Sequence, residues 1–231
     1  MTTQERVRDR RGEVRFPAVI ATLLAIALYA LLPSDLLLGP RLLIPSLEIV
    51  LLVTLVAINP RHLTRETKVS RLASLGLVIL IAASNTAALV VLLHKLGSAD
   101  LPKGPELLLA ALQVWGTNVL VFGLIYWELD RGGPVARSFT KRELLPAADF
   151  RFSQDENHDT VIEVQRTASK TTDWMPTLVD YLYVSLTNSS AFSPTDTMPL
   201  RPRVKLLMGL QATAALITSV LVIARGVSLL G

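Results

Sequence analysis

Charge is clumped along this chain, and the apolar runs between the clumps limit what it can fold into. Residues 16–33, 42–59, 71–96 and 105–128, and the last part of 174–231, are each near or above the roughly 20 helical residues that cross a hydrocarbon core. Hydrophobic residues make up 51% of the 231 positions and charged residues 18%. That charged fraction is below the roughly one quarter usual in soluble domains. The pattern therefore predicts a multi-pass membrane protein.

Composition removes several chemistries. The chain has no cysteine, which excludes disulfides, thiolate metal sites, iron–sulfur clusters and a cysteine nucleophile. The net charge of +4 comes from loop Lys and Arg. In a membrane chain such residues report orientation before nucleic-acid binding. The N-terminal stretch, residues 1–15, is a basic tail. The run after it ends in Pro-Ser-Asp without a small-residue cleavage site, so it reads as a retained first helix rather than a signal peptide.

Local signals set the boundaries. Pro17 suits the start of helix 1, where its missing N–H has no helical partner. Helix 2 stops at Asn59-Pro60. Helix 4 ends in Tyr126-Trp127-Glu128, an aromatic pair beside a charge that fits an interfacial belt. Residues 16–128 thus form a four-helix transmembrane region. Residues 129–173 are polar and mixed in charge, and read as a hydrophilic loop, partly disordered, with Thr160–Gln165 as its one candidate strand. Residues 174–231 form the last unit: a short half-polar helix, a Ser/Thr/Asn/Pro-rich bend and a long apolar helix.

Basic residues orient the chain. With the N-terminus inside, the tail, the 2–3 loop and the 129–173 loop place sixteen Lys and Arg on that side and three on the other. The positive-inside rule then makes the N-terminus cytoplasmic. Counting all 23 Lys and Arg, letting 174–192 dip in and return gives 19 to 4, against 17 to 6 if it crosses. Asp180, Asn188 and the neighbouring hydroxyls also make that segment a poor span. The predicted fold is an all-α membrane protein with five transmembrane helices plus a re-entrant helical hairpin before the last helix.

Two blocks carry a resemblance. Tyr-Trp-Glu-Leu-Asp-Arg-Gly-Gly-Pro at 126–134, and Asp-Tyr-Leu-Tyr-Val-Ser-Leu-Thr-Asn-Ser-Ser-Ala-Phe-Ser-Pro-Thr-Asp at 180–196 with the Met-Pro-Leu after it, resemble an uncharacterised family of bacterial multi-pass membrane proteins. The C-terminal block also resembles a degenerate potassium-channel pore module. The resemblance implies a pore helix over Tyr181–Leu186 and a filter position over Ser189, Ser190, Ala191, Phe192 and Ser193, followed by Asp196. The block departs from that pattern in lacking the filter glycines, whose backbone angles Ala and Ser reach only at a cost.

The candidate site residues fall in two groups. The pore-like segment offers Asp180, Tyr183 and Thr187 on one helical face, then Asn188 and the Ser189–Ser193 bend. Its side chains are expected to bond to the local chain, as Ser, Thr and Asn do in turns, which predicts that Thr187–Ser193 closes on itself and lines no carbonyl path. Asp180 has an alternative reading as a cap or ion-pair partner. The second group is an intramembrane polar layer of Glu48, Asn85, Gln113 and Asn118. Glu48 reads there as a helix-locking group first and a proton or cation site second. The acidic run 154–159 lacks the glycine and spacing of a calcium loop, and the three histidines are scattered, so no metal, cofactor or catalytic set is expected.

These observations predict a channel-like or transport-related membrane protein, with a non-conducting scaffold or accessory subunit as the alternative. The expected partners are the lipid bilayer, further copies of the chain as a tetramer or dimer, and a membrane-protein partner; nucleic acid is not expected.

Overall fold

The protein is described by a computed structural model covering residues 12–96, 104–156, 161–190 and 196–230. It is mostly helical, at 74%. The main helices are α1 (Phe16–Ala30), α2 (Leu43–Ile58), α3 (Lys68–Leu96) and α4 (Gly104–Leu129). Short helices α5 (Pro134–Phe139), α6 (Ile162–Gln165) and α7 (Ser169–Thr172) follow, then α8 (Leu178–Ser189) and α9 (Pro202–Leu230).

The expectation of five spanning helices is corrected. Among the described residues three helices are long and apolar enough to cross a membrane: α3, α4 and α9. At 1.5 Å per residue, the 15 residues of α1 and 16 of α2 reach only about 22–24 Å. Proline sets these limits. Leu32-Pro33 stops helix 1 early, because the residue before proline is pushed out of the helical region. Asn59-Pro60 ends α2 in the same way, with Asn59 already non-helical at φ −137° and ψ 85°. The 12-residue α8 is shorter still.

Helix α4 is the centre of the bundle, with α1, α3, α8 and α9 packed around it, while α2 lies against α3 and α1. The closest approach is at Gly123, where a Cβ would stand 2.6 Å from Leu182 Cδ2 and 3.2 Å from its Cα. Only glycine lets α8 lie so near α4. Two apolar clusters fill the interior. One, around Ala25, Leu52, Ile81, Val121 and Leu124, lies toward the N-terminal end of α1; the other, around Tyr29, Leu36, Leu92 and Val114, lies toward its C-terminal end.

Residues 129–156 fold against the first of these ends. Strand β3 (Phe150–Phe152) pairs antiparallel with β4 (Thr197–Pro199), opposing Phe150 to Pro199 and Phe152 to Thr197. A second pair joins β1 (Glu13–Val14) to β2 (His62–Leu63). Phe150 and Phe152 enter the core, with ring centroids 6.0 and 5.5 Å from Tyr181. Alternation places those two rings inward and Arg151 outward, the normal consequence of strand pleating. The strand expected at Thr160–Gln165 is instead a turn of helix over Ile162–Gln165, with the Gln165 N–H donating to Val161 O. Val161, Ile162 and Val164 are exposed, so no apolar face there rewards an extended strand. Thr160 lies outside the described residues.

Candidate functional site

Two assemblies of polar groups stand out: an ionic cap where α4 ends, and a hydrogen-bonded layer around α8. The cap is built on the 126–134 motif. α4 stops at Leu129, and the next residues turn sharply, with Arg131 at φ 50°, Gly132 at 83° and Gly133 at 95°. Pro134 then starts α5. The last carbonyls of α4 have no helical donors, and two arginines supply them. Arg137 donates to Trp127 O at 2.7 Å and Asp130 O at 2.8 Å. Arg71, from α3, donates to Glu128 O and Gly132 O, both at 2.7 Å. Cations at a helix C-terminus also meet the negative end of its dipole.

Gly133 is required by that arrangement. A Cβ there would lie 1.9 Å from Arg71 Nη1, and its positive φ disfavours any side chain. Arg71 can move aside only by breaking its bonds to the α4 carbonyls. Gly133→Ala is expected to destabilise the protein by about 1–3 kcal/mol, measured by thermal unfolding in detergent. An unchanged midpoint would show that Arg71 is not held.

Carboxylates from distant parts of the chain complete the cap. Asp130 is 0% exposed; it accepts from the Tyr181 hydroxyl at 2.5 Å and from the Asp149 N–H at 2.7 Å. Asp149 is also fully buried and accepts from Arg203 Nε at 2.7 Å. Glu13 accepts from Trp127 Nε1 and from the Leu178 N–H that opens α8, both at 2.9 Å, and lies 3.6 Å from Arg137. Arg131 bonds Asp155 at 2.6 Å. Glu128 accepts from Ser74 and lies 3.7 Å from Arg71. Arg137 additionally stands 5.1 Å over the Tyr181 ring, a cation–π contact. Anion meets cation throughout, so the cap reads as a lock rather than an open charged surface.

The layer around α8 is centred on Gln211 of α9, which is 0% exposed. Its Nε2 donates to Ser185 O at 3.0 Å, Ser185 Oγ at 2.6 Å and Ser189 Oγ at 2.8 Å. Its Oε1 accepts from Tyr126 Oη at 2.6 Å and Asn188 Nδ2 at 2.9 Å. Ser185 Oγ donates onward to Val119 O at 2.6 Å, and Trp115 Nε1 donates to Ser189 O at 3.2 Å. Helices α4, α8 and α9 are tied through one amide.

The expected site residues land differently from their helical-face grouping. Asp180 is a cap: it accepts from Thr177 N at 2.7 Å and Thr177 Oγ1 at 2.9 Å, forming a capping box. Tyr183 is exposed and its hydroxyl donates to Asp196 at 3.3 Å. Thr187 donates back to Tyr183 O and Val184 O, and Ser190 to Leu186 O. The polar face of Asp180, Tyr183 and Thr187 therefore points away from the interior, which takes Tyr181, Ser185 and Ser189 instead. Local closure holds for Thr187 and Ser190, whereas Asn188 and Ser189 bond across to α9. Ala191, Phe192 and Ser193 lie outside the described residues.

The polar layer of Glu48, Asn85, Gln113 and Asn118 is buried throughout but does not converge. Glu48 meets Ser84 Oγ at 3.5 Å, not the amides, and its Oε2 has no partner. Asn118 donates to Gln211 O at 3.4 Å, and Gln113 Oε1 is unbonded. Burial makes a carboxylate costly to ionise, and among the described residues Glu48 has this one long hydrogen bond and no ion pair. Glu48→Gln is accordingly expected to shift stability by less than about 1 kcal/mol, read as the unfolding midpoint; a larger loss would mean that an ionised Glu48 is needed.

Sequence reasoning missed Gln211, Tyr181, Asp130 and Asp149. Gln211 had a usable signal, a lone amide in an apolar helix, which commonly bonds across helices. Among the described residues no group of three His, Asp or Glu stands close enough to hold a metal ion. Comparison with protein-family models, with curated proteins and with solved structures finds no match for this chain.

Proposed function

We propose that the chain is an integral membrane protein that does not conduct on its own: a membrane scaffold or accessory subunit in which a pore-like segment serves as a structural plug. The observation that carries this reading is the Gln211 hub. The inward polar groups of α8 are bonded to α4 and α9 rather than turned toward a path. An ion path needs groups that replace a hydration shell, and groups already engaged with each other cannot do so. In this reading α1 and α2 complete the membrane region beside α3, α4 and α9, α8 is re-entrant, and the N-terminus and the 129–173 segment are cytoplasmic. The lipid bilayer is the primary partner, with further copies of the chain or another membrane protein bound beside it. Membership of the bacterial membrane family rests on the 126–134 and 180–196 motifs.

The channel-like reading retains one support. The exposed Tyr183–Asp196 pair sits on the outer side of α8, where an assembly would present it to neighbouring copies. Flux through reconstituted vesicles separates the two. Potassium and sodium flux is expected to equal that of protein-free vesicles, and selective or protein-dependent flux would overturn the scaffold reading.

A further inference from the structure

A cavity of about 70 Å³ lies among α1, α2, α3 and the end of α4, next to the ionic cap. Its walls include Leu52, Leu55 and Leu77, while Arg15, Arg65 and Arg71 bring positive charge to it and Glu66 and Glu128 negative charge. The cavity is several times the roughly 10–15 Å³ that admits one water, enough for a small polar head.

The charges there are not all engaged. Arg71 is bound to Glu66 at 3.0 Å and to the carbonyls that end α4, and Glu128 takes Ser74 and Arg71. Arg15 is different. It is only 7% exposed, its Nη1 donates to Asn59 O at 3.2 Å, and its buried Nε has no partner. Burial holds this guanidinium below its ordinary pKa, with Glu128 opposing the effect. Arg65 is exposed; its backbone N–H and C=O bond the Asn59 side chain, while its guanidinium forms no hydrogen bond or ion pair among the described residues. A buried cation short of hydrogen bonds is a costly group that an anion would satisfy.

We infer that this cavity binds the phosphate head of an anionic membrane lipid, with Arg15 and Arg65 as its ligands. The cavity stands level with Trp127 and Glu128, where the helix α4 reaches its charged end. Acyl chains extend along the apolar flank of α1 and α2, where Ile20, Leu23 and Val53 are exposed. The apolar walls and the buried guanidinium with its unbonded Nε together fit an amphiphile better than a free anion. This inference rests on the membrane reading, and the test separates the two.

The full chain, purified in detergent, is offered equimolar phosphatidylglycerol and phosphatidylcholine, and retained lipid is read by native mass spectrometry. Phosphatidylglycerol is expected to be retained about tenfold over phosphatidylcholine, the size of one charge-assisted hydrogen bond. Arg15→Gln should abolish the preference, and Leu52→Trp should do so by filling the cavity with Arg15 intact. Arg166→Gln, an exposed charge elsewhere, should leave it unchanged. Equal retention of the two lipids, or a preference that survives both cavity variants, overturns the inference. Displacement by excess inorganic phosphate overturns the lipid as the source of the anion. Release of the chain from membranes by alkaline carbonate would instead overturn the membrane reading itself.

Discussion

Asp130→Ala is expected to destabilise the protein by about 3–5 kcal/mol, the range for removing one member of a buried ionic set. The side chain is fully buried and takes the Tyr181 hydroxyl and the Asp149 N–H, with Arg131 3.5 Å away. Its loss strands a buried phenol and a backbone donor, and takes from Arg131 one of its two carboxylates, leaving Asp155. Asp130→Asn keeps an acceptor for two of these and should lose roughly half as much. Thermal and denaturant unfolding of the two variants in the same detergent reads the difference. A loss below about 1 kcal/mol for alanine would show that solvent already reaches the cap.

Gln211→Leu is expected to cost about 2–4 kcal/mol. Polar links between membrane helices are each worth roughly 0.6–1.7 kcal/mol, and this amide makes bonds to Tyr126, Asn188, Ser185 and Ser189. Leucine matches it in size, so packing changes little and the loss is assigned to the bonds. The double variant Gln211→Leu with Tyr126→Phe should be less destabilised than the sum of the two, because the pair shares one bond. Additive losses would place Tyr126 outside the network.

Much of the architecture was legible from local patterns. The apolar runs located α2, α3 and α4 to within three residues, since length and hydropathy are local properties. α1 was over-extended by three residues because Leu31 and Leu32 continue the apolar run while Pro33 removes them from the helix. The 126–134 motif is one of the two blocks that carry the resemblance, and it is the hub of the cap. What it contacts was not legible. Glu13 reaches Leu178, 165 positions away, and Asp149 reaches Arg203 across 54. No periodicity reports such pairs. Residues 129–173 looked featureless for the same reason: Phe150 and Phe152 are core residues only because α8 and β4 arrive to cover them. On α8, counting polar residues favours Asp180 and Tyr183, whereas burial selects Tyr181 and Ser185, whose partners lie in the turn after α4 and on α4 itself.

The glycine turn after α4 and the carboxylates around it have a consequence for cooperativity. Glu13 belongs to the first strand, Asp130 to the turn after α4, Asp149 to the segment before β3, Tyr181 to α8 and Arg203 to α9. None of these pieces can open alone, because each departure leaves an opposite charge or a donor buried without its match. Hydrogen exchange across this end therefore follows a single opening free energy, shared by residues nearly two hundred positions apart, while the far end of the bundle is released from that constraint.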